Sequence, residues 1–309
     1  MCNLKILETS KFKKKSAKTD DNIIFWGDAL KTLKKLPEEP LFDLVVTSPP
    51  YDIGKEYEKT IPLDEYIKFH EKIIIEITKR MKPDGSICWE VGNYVKNNSI
   101  IPLDYLFDPI FRKLGYTLRN RIVWHFGHGL NNRKRFSGRY EVVLWYTKGD
   151  SYTFNLDDVR IPSKYPGKRY SKGPKKGQLS GNPLGKNPED VWEIPNVKSN
   201  HVEKLDHPCQ FPVGLVERLV LALTNENDLV LDPFAGTSST GVASIMNNRR
   251  FWGCEIMKEY VDLSFDRLTD TINGTVKYRP ADKPIYDPSQ TDLSIYPEEW
   301  KHGGKKWKL

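Results

Sequence analysis

The feature that most constrains this chain is an alternation of short apolar runs with helix-like patterns. Apolar runs of strand length occur at residues 22–26, 41–47, 86–91, 119–124, 140–147, 229–231 and 251–254. Two intervening segments space apolar residues three and four positions apart, as one buried face of a helix does: residues 66–81 and 212–223. Strands that alternate with helices form a mostly parallel sheet that is covered on both faces. We therefore predict an α/β fold with a mostly parallel, doubly wound sheet.

A change of composition divides the chain. Residues 150–206 are rich in Pro, Gly, Lys and Tyr and show little periodicity. We interpret them as an irregular insert rather than a linker, because Trp192 and several tyrosines need burial. We predict a flexible basic arm at residues 1–20 and a C-terminal tail at residues 276–309. Between them lies one domain in two halves, residues 21–149 and 207–275, with the insert at residues 150–206 between the halves.

The composition favours an intracellular protein with an anionic partner. The 309 residues include no run of about 18 apolar residues that could span a membrane, and the N-terminus lacks the apolar core of a secretory signal. The four cysteines are scattered without a C-x-x-C pair, so we expect a reduced, cytoplasmic protein with neither disulfides nor a metal site. The formal net charge of +7 favours a polyanionic partner.

The positive charge is concentrated in two segments. Residues 159–188 contain no Asp or Glu, and they interleave Tyr165 and Tyr170 with basic residues. A second basic cluster lies just upstream. Contacts to the polyanion are predicted for Arg133, Lys134, Arg135, Arg139, Lys168, Arg169, Lys172, Lys175 and Lys176.

One segment has the character of a ligand-binding turn. Asp232-Pro233-Phe234-Ala235-Gly236-Thr237-Ser238 follows a predicted strand and opens a helix. Small residues let the backbone approach a ligand there, and a helix N-terminus favours a carboxylate or phosphate. Glu255, at the end of the next strand, is placed to accept hydrogen bonds from ribose hydroxyls. By itself the segment is equally consistent with a plain strand–helix turn, and it is neither a P-loop nor a G-x-G-x-x-G motif.

A second segment, Ser48-Pro49-Pro50-Tyr51, comes directly after an apolar strand. Two prolines fix their φ angles and remove two backbone donors, which leaves rigid carbonyls facing outward. A planar amino group could donate to the Ser48 oxygen and the Pro49 carbonyl while its ring stacks on Tyr51. A proline-rich strand cap is the simpler interpretation of this segment alone. Both segments, however, lie at the carboxyl ends of predicted parallel strands, where α/β sheets bind ligands.

Together these segments resemble DNA amino-methyltransferases. Residues 47–51, Thr-Ser-Pro-Pro-Tyr, look like the catalytic motif of that family, and residues 232–238 resemble its methyl-donor motif, D-P-F-x-G-x-G. Residues 207–212 resemble the segment that borders the methionine part of the cofactor, and residues 139–141 and 187–192 are also similar to family segments. The order of catalytic motif, basic insert and donor motif is similar to that of the circularly permuted β group.

The resemblance implies a Rossmann-like methyltransferase fold with S-adenosylmethionine as cofactor. It implies that the target base leaves the helix and that its exocyclic amine makes a direct in-line attack, held by the catalytic residues Ser48, Pro49, Pro50 and Tyr51. Cofactor contacts are implied for Asp28, Gln210, Phe211, Asp232, Pro233, Phe234, Ala235, Gly236, Thr237, Ser238 and Glu255. Ser238 departs from the family's usual glycine, and its side chain is expected to crowd the cofactor carboxylate or to donate a hydrogen bond to it.

The resemblance also bears on substrate and partners. Double-stranded DNA is the expected substrate, and the basic residues named above would contact it. Ser before Pro-Pro is more often found in cytosine-N4 enzymes, and Asp or Asn more often in adenine-N6 enzymes, so we expect cytosine N4 with adenine N6 as the alternative. Relatives in this group suggest a homodimer and a restriction endonuclease that acts separately.

Two other classes of protein are weighed against a DNA methyltransferase. A protein glutamine methyltransferase also uses Pro-Pro-Tyr, but its donor motif comes first and it lacks a basic insert. A DNA-binding module that has lost catalysis would explain the basic segments, and only Ser238 hints at it.

Overall fold

The structure is a computed structural model that describes residues 3–13, 18–50, 61–127, 129, 131–281, 283–287 and 294–295. Its strands are β1 Leu4–Glu8, β2 Asn22–Trp26, β3 Phe42–Thr47, β4 Met81–Val91, β5 Asn93–Lys96, β6 Ser99–Pro102, β7 Thr117–His125, β8 Tyr140–Thr147, β9 Val191–Glu193, β10 Leu229–Asp232 and β11 Arg250–Glu255. Its helices are α1 Ala29–Lys35, α2 Leu63–Thr78, α3 Leu103–Lys113, α4 Val213–Leu223, α5 Ser239–Met246 and α6 Lys258–Ile272.

Across the described ranges, nine strands form one sheet in the order β1-β2-β11-β10-β3-β4-β8-β7-β9, and β5 and β6 form a separate hairpin. The strands from β1 to β4 in this order are all parallel to their neighbours. β8 is antiparallel to both β4 and β7, and β9 is parallel to β7. The predicted mostly parallel α/β sheet is confirmed.

Alternate residues of the central strands enter two separate cores. In β2, Ile23 and Phe25 point into one core and Ile24 into the other, and all three are fully buried. Helices α1, α2 and α3 cover the first core with Leu33, Ile73 and Phe107. Helices α4, α5 and α6 cover the second core with Val216, Val242 and Leu268. A sheet buried on both faces has strands that read as continuous apolar runs, which is why the sequence showed them clearly.

The prediction of a flexible basic arm at residues 1–20 is wrong for residues 3–13. Leu4–Glu8 pair in parallel with β2 at the edge of the sheet, and Phe12 is buried with its ring 5.1 Å from that of Phe25. The segment is short and half-buried, so its own periodicity is weak. The neighbouring strand supplies its hydrogen-bond partners, which no local pattern in the sequence records.

Residues 150–206 are largely irregular, with a 3₁₀ turn at Leu156–Val159 and the short strand β9. Trp192 anchors them because its ring is buried and its indole N–H donates to the Glu189 carbonyl at 2.7 Å. The Asn155 side chain also donates to the Thr224 carbonyl at the end of α4, at 2.8 Å. Burial of Trp192 is confirmed, whereas Tyr165 and Tyr170 are exposed.

None of the helices in the described part of the chain is long and apolar enough to cross a membrane.

Candidate active site

A cavity opens where the carboxyl ends of four parallel strands meet. Its empty volume is about 1120 Å³, including the open mouth. The lining comes from Asp28 after β2, residues 48–50 after β3, residues 233–237 after β10, and Glu255 at the end of β11. The sheet therefore brings together both segments that the sequence had marked, although 185 residues separate Thr47 from Asp232. Parallel strands point their carboxyl ends to one edge, and this edge is where such sheets bind ligands.

Glu255 is held by backbone donors at this edge. Its carboxylate accepts the N–H of Gly236 at 3.0 Å and the N–H of Met257 at 2.7 Å. Burial raises the pKa of Glu255 to about 7, and these backbone hydrogen bonds oppose the rise. The side chain is an acceptor on the cavity wall, as expected for a residue that binds ribose hydroxyls.

Asp232 has a different place from the one the sequence suggested. Its side chain is 1% exposed and does not line the cavity. It accepts hydrogen bonds from the hydroxyls of Thr47 and Thr240, each at 2.7 Å, and from the N–H of Phe234 at 3.0 Å. Burial raises the pKa of Asp232 to about 6, against the lowering effect of these donors. Asp232 thus forms a buried link between the two motifs, and its contact with the cofactor stays a prediction.

The sequence marked Thr47 only as the first residue of the motif at residues 47–51, and its bond to Asp232 was not predicted. Its hydroxyl ties the end of β3 to the start of the donor turn, one position before Ser48. A threonine in an apolar strand carries no signal of its own, because its partner is known only once β3 and β10 lie side by side.

The turn after β10 uses left-handed backbone at two positions. Gly236 has φ +51°, and a Cβ there would lie 3.1 Å from Nε2 of His207, so glycine makes room for this ring. Ser238 has φ +57°, is fully buried, and its hydroxyl finds no hydrogen-bond partner among the described residues. A non-glycine residue in this conformation costs about 1–2 kcal/mol.

Ser238 therefore departs from expectation. It is not among the residues that line the cavity, although its neighbours Thr237 and Ser239 are. The usual glycine at this position is explained by the backbone angle.

A separate segment, before α4, also lines the cavity. His207, Gln210 and Phe211 all line it. The Gln210 amide is occupied by the chain, since it donates to the Glu203 carbonyl at 2.8 Å and accepts the Leu205 N–H at 3.1 Å. The Tyr260 ring lies 4.4 Å from that of His207 and also lines the cavity.

The described part of the predicted catalytic segment, residues 48–50, lies at the same cavity. Ser48, Pro49 and Pro50 line it, with Pro49 the most buried of the three. Phe69 of α2, which the sequence assigned only to a helix face, lines it as well. Tyr51 lies outside the described residues.

The two basic clusters lie on different loops. Arg133, Lys134, Arg135 and Arg139 belong to the connection between β7 and β8. The other cluster is exposed in the insert: Lys168, Arg169, Lys172, Lys175 and Lys176. There the Lys175 ammonium lies 6.0 Å from the Tyr170 ring, and Arg169 donates to the Gly177 carbonyl at 2.6 Å.

Comparisons with known proteins identify the class that this fold and cavity define. A family model described as DNA methylase, for N6 and N4 enzymes, matches residues 42–266. The chain is 47% identical over 278 residues to the type II methyltransferase M.BglII of Bacillus subtilis, covering 87% of this chain and 77% of that one. It is 35% identical over 250 residues to the DNA adenine methyltransferase YhdJ of Escherichia coli K12, covering 79% and 82%.

Solved structures of DNA methyltransferases have the same fold. A PvuII DNA methyltransferase described as cytosine-N4-specific matches with a TM-score of 0.63 at 23% identity, covering 82% of this chain and 91% of that one. A Thermus thermophilus protein described as a DNA modification methylase, in complex with S-adenosyl-L-methionine, matches with a TM-score of 0.56 at 26% identity, covering 84% and 99%.

The chain thus belongs to the N6/N4 family of DNA methylases. It is a site-specific DNA methyltransferase, and its relatives include both adenine and cytosine-N4 enzymes.

Proposed function

We propose that this enzyme methylates the N4 amino group of cytosine at a specific sequence in duplex DNA. The observation that carries the proposal is the single cavity at the strand ends. Ser48 and Pro49 line this cavity together with Gly236 and Glu255. A site for an amino group and a site for a nucleoside-type cofactor are therefore adjacent.

The cofactor is S-adenosylmethionine, and the cavity fits it. Glu255 presents a carboxylate that can accept from ribose hydroxyls, and the turn at Gly236 has no side chain to fill the space before His207. The apolar rings of Phe234 and Phe211 line the remainder. When bound, this cofactor supplies an electrophilic methyl group.

The chain's own residues act on the base. Exocyclic amines are weak nucleophiles because their lone pair is delocalised into the ring. Hydrogen bonds from the amine to the Ser48 hydroxyl and the Pro49 carbonyl draw its nitrogen toward tetrahedral geometry and localise that lone pair. The site contributes positioning and electrostatics. The base must leave the stack to reach this position, at a cost of a few kcal/mol.

Cytosine N4 is favoured over adenine N6 by Ser48 in front of the two prolines. The N6-adenine alternative is supported by the 35% identity to a DNA adenine methyltransferase. We assign the enzyme to the β group on its motif order, and we propose that the insert reads the target sequence. A homodimer and a separately acting restriction endonuclease complete the proposal.

Sequencing of DNA from cells that express the chain, with detection of modified bases, tests this function. N4-methylcytosine in one sequence context is the expected result. N6-methyladenine would establish the alternative instead. DNA with no modified base, from cells in which the protein is folded and binds S-adenosylhomocysteine, would overturn the proposal in favour of a non-catalytic DNA-binding module.

A further inference from the structure

Phe136 is the most exposed large apolar side chain of the described residues. Its ring is 100% exposed in the connection between β7 and β8. A fully solvated aromatic ring is unfavourable, since its burial against another surface would release about 25 cal/mol per Å². It contributes nothing to either core.

Three hydrogen bonds hold the loop that carries Phe136. The Asn132 side-chain oxygen accepts the N–H groups of Lys134 at 2.9 Å and Arg135 at 3.2 Å. The Ser137 hydroxyl accepts the Asn132 N–H at 2.9 Å. These bonds connect Asn132 to residues before and after Phe136, whose ring is exposed to solvent.

The same loop lies at the edge of the sheet where the cavity opens. Val91, at the carboxyl end of β4, pairs with Val142 near the start of β8, so the loop before β8 extends beyond that end. β4 runs parallel to β3, with Trp89 opposite Thr47. Phe136 and Ser48 therefore project from one edge, with only β4 and β8 between β3 and β7.

The residues around Phe136 suit a phosphate backbone. Arg133, Lys134 and Arg135 precede it, and no carboxylate among the described residues forms an ion pair with any of them. Arg139 follows, with its guanidinium held by the Asn131 side chain at 2.8 Å. A ring flanked by cations matches a duplex, which presents phosphates outside and a base stack inside.

We propose that Phe136 is a wedge that enters the base stack and fills the space left by the target base. Apolar side chains that insert between base steps stabilise unstacked DNA in other proteins. The wedge makes Phe136 a positioning residue, because it acts on the duplex and not on the reacting amine. This inference rests on the proposed function, since it requires that the base leave the helix.

The test uses the full-length enzyme and two synthetic duplexes that carry the target sequence identified by sequencing. One duplex is fully paired, and in the other the base opposite the target cannot pair with it. Single-turnover methyl transfer from labelled cofactor is measured for the wild type, for Phe136→Ala and for Phe136→Leu. Ile272→Ala, at the far end of α6 and 36% exposed, is the matched control for loss of an exposed apolar side chain.

We expect Phe136→Ala to slow transfer on the paired duplex roughly tenfold, since aromatic stacking on a base is of that order. On the unpaired duplex the loss should shrink to about twofold, because an unpaired base leaves the stack at less cost. Phe136→Leu should recover part of the rate, and Ile272→Ala should behave as wild type. S-adenosylhomocysteine affinity should be unchanged in all of them.

Equal losses on the two duplexes would overturn the wedge, and so would a wild-type rate for Phe136→Ala. A change in oligomeric state by light scattering, without a difference between the duplexes, would assign this surface to a second copy of the chain instead. These results leave the proposed function standing if the wild type transfers methyl groups. A wild type that modifies no DNA overturns both.

Discussion

The raised pKa of Glu255 predicts that cofactor binding depends on pH near neutrality. The perturbation is a change of pH from 8 to 6, with S-adenosylhomocysteine as the ligand. In the proposed role of Glu255, the ionised carboxylate would accept hydrogen bonds from ribose hydroxyls and the protonated form would lose an acceptor, so the ionised form should bind more tightly. The pKa is about 7 in the ligand-free protein.

The magnitude follows from that pKa. About nine-tenths of the Glu255 side chains are ionised at pH 8 and about one-tenth at pH 6. If only the ionised form binds, the affinity should fall about tenfold between these pH values, which is equivalent to about 1.4 kcal/mol.

Calorimetric titration of S-adenosylhomocysteine at several pH values between 6 and 8.5 measures the effect. Glu255→Gln is the control, because it keeps the size of the side chain and cannot ionise. It should bind more weakly at pH 8 and lose most of the slope. A flat affinity profile for the wild type, or the same slope in Glu255→Gln, would refute the role of this carboxylate.

The same pKa predicts that the stability of the ligand-free protein falls as the pH rises, whereas cofactor affinity rises. The folded-state pKa lies above the ordinary value of 4.5, so the contribution to stability is fully present below pH 4.5 and is lost as the pH rises through about 7. The full loss corresponds to about 3 kcal/mol. Without ligand, thermal or denaturant unfolding should show the wild type losing stability relative to Glu255→Gln between pH 5 and 8.

Three further outcomes are expected. Ser48→Ala should lower turnover on the order of a hundredfold by removing one transition-state hydrogen bond, with S-adenosylhomocysteine affinity unchanged in calorimetry; near-normal turnover would reduce residues 48–50 to a strand cap. Thr47→Val should lower the free energy of unfolding by about 1–3 kcal/mol in denaturant titration, because buried Asp232 loses one donor, and an unchanged midpoint would contradict the link. The last variant neutralises four cations of the insert, namely Lys168, Arg169, Lys175 and Lys176. It should reduce the slope of log affinity against log salt by about 3 to 4 in DNA-binding titrations. An unchanged slope would show that the insert does not contact DNA.

Much of the sheet and the candidate site could be predicted from local sequence. β2 has the bounds that its apolar run indicated, β10 is longer than its run by one residue, and β11 is longer by one residue at each end. The motifs at residues 47–51 and 232–238 placed the catalytic and donor segments at strand ends. These features are local. Consecutive apolar residues indicate a buried strand, and prolines and small residues indicate the turns.

The tertiary structure alone decided which side chains meet. The sequence marked Asp232 as a cofactor residue, but only the fold shows that its carboxylate bonds the hydroxyls of Thr47 and Thr240. Leu4–Glu8 became an edge strand only because β2 was there to pair with it. Phe69 of α2 reached the cavity wall next to Phe234, whose ring centroid lies 6.5 Å away. Each outcome depends on neighbours distant in the chain, and the hydrogen bonds and burial that fix such contacts exist only after the strands have been ordered.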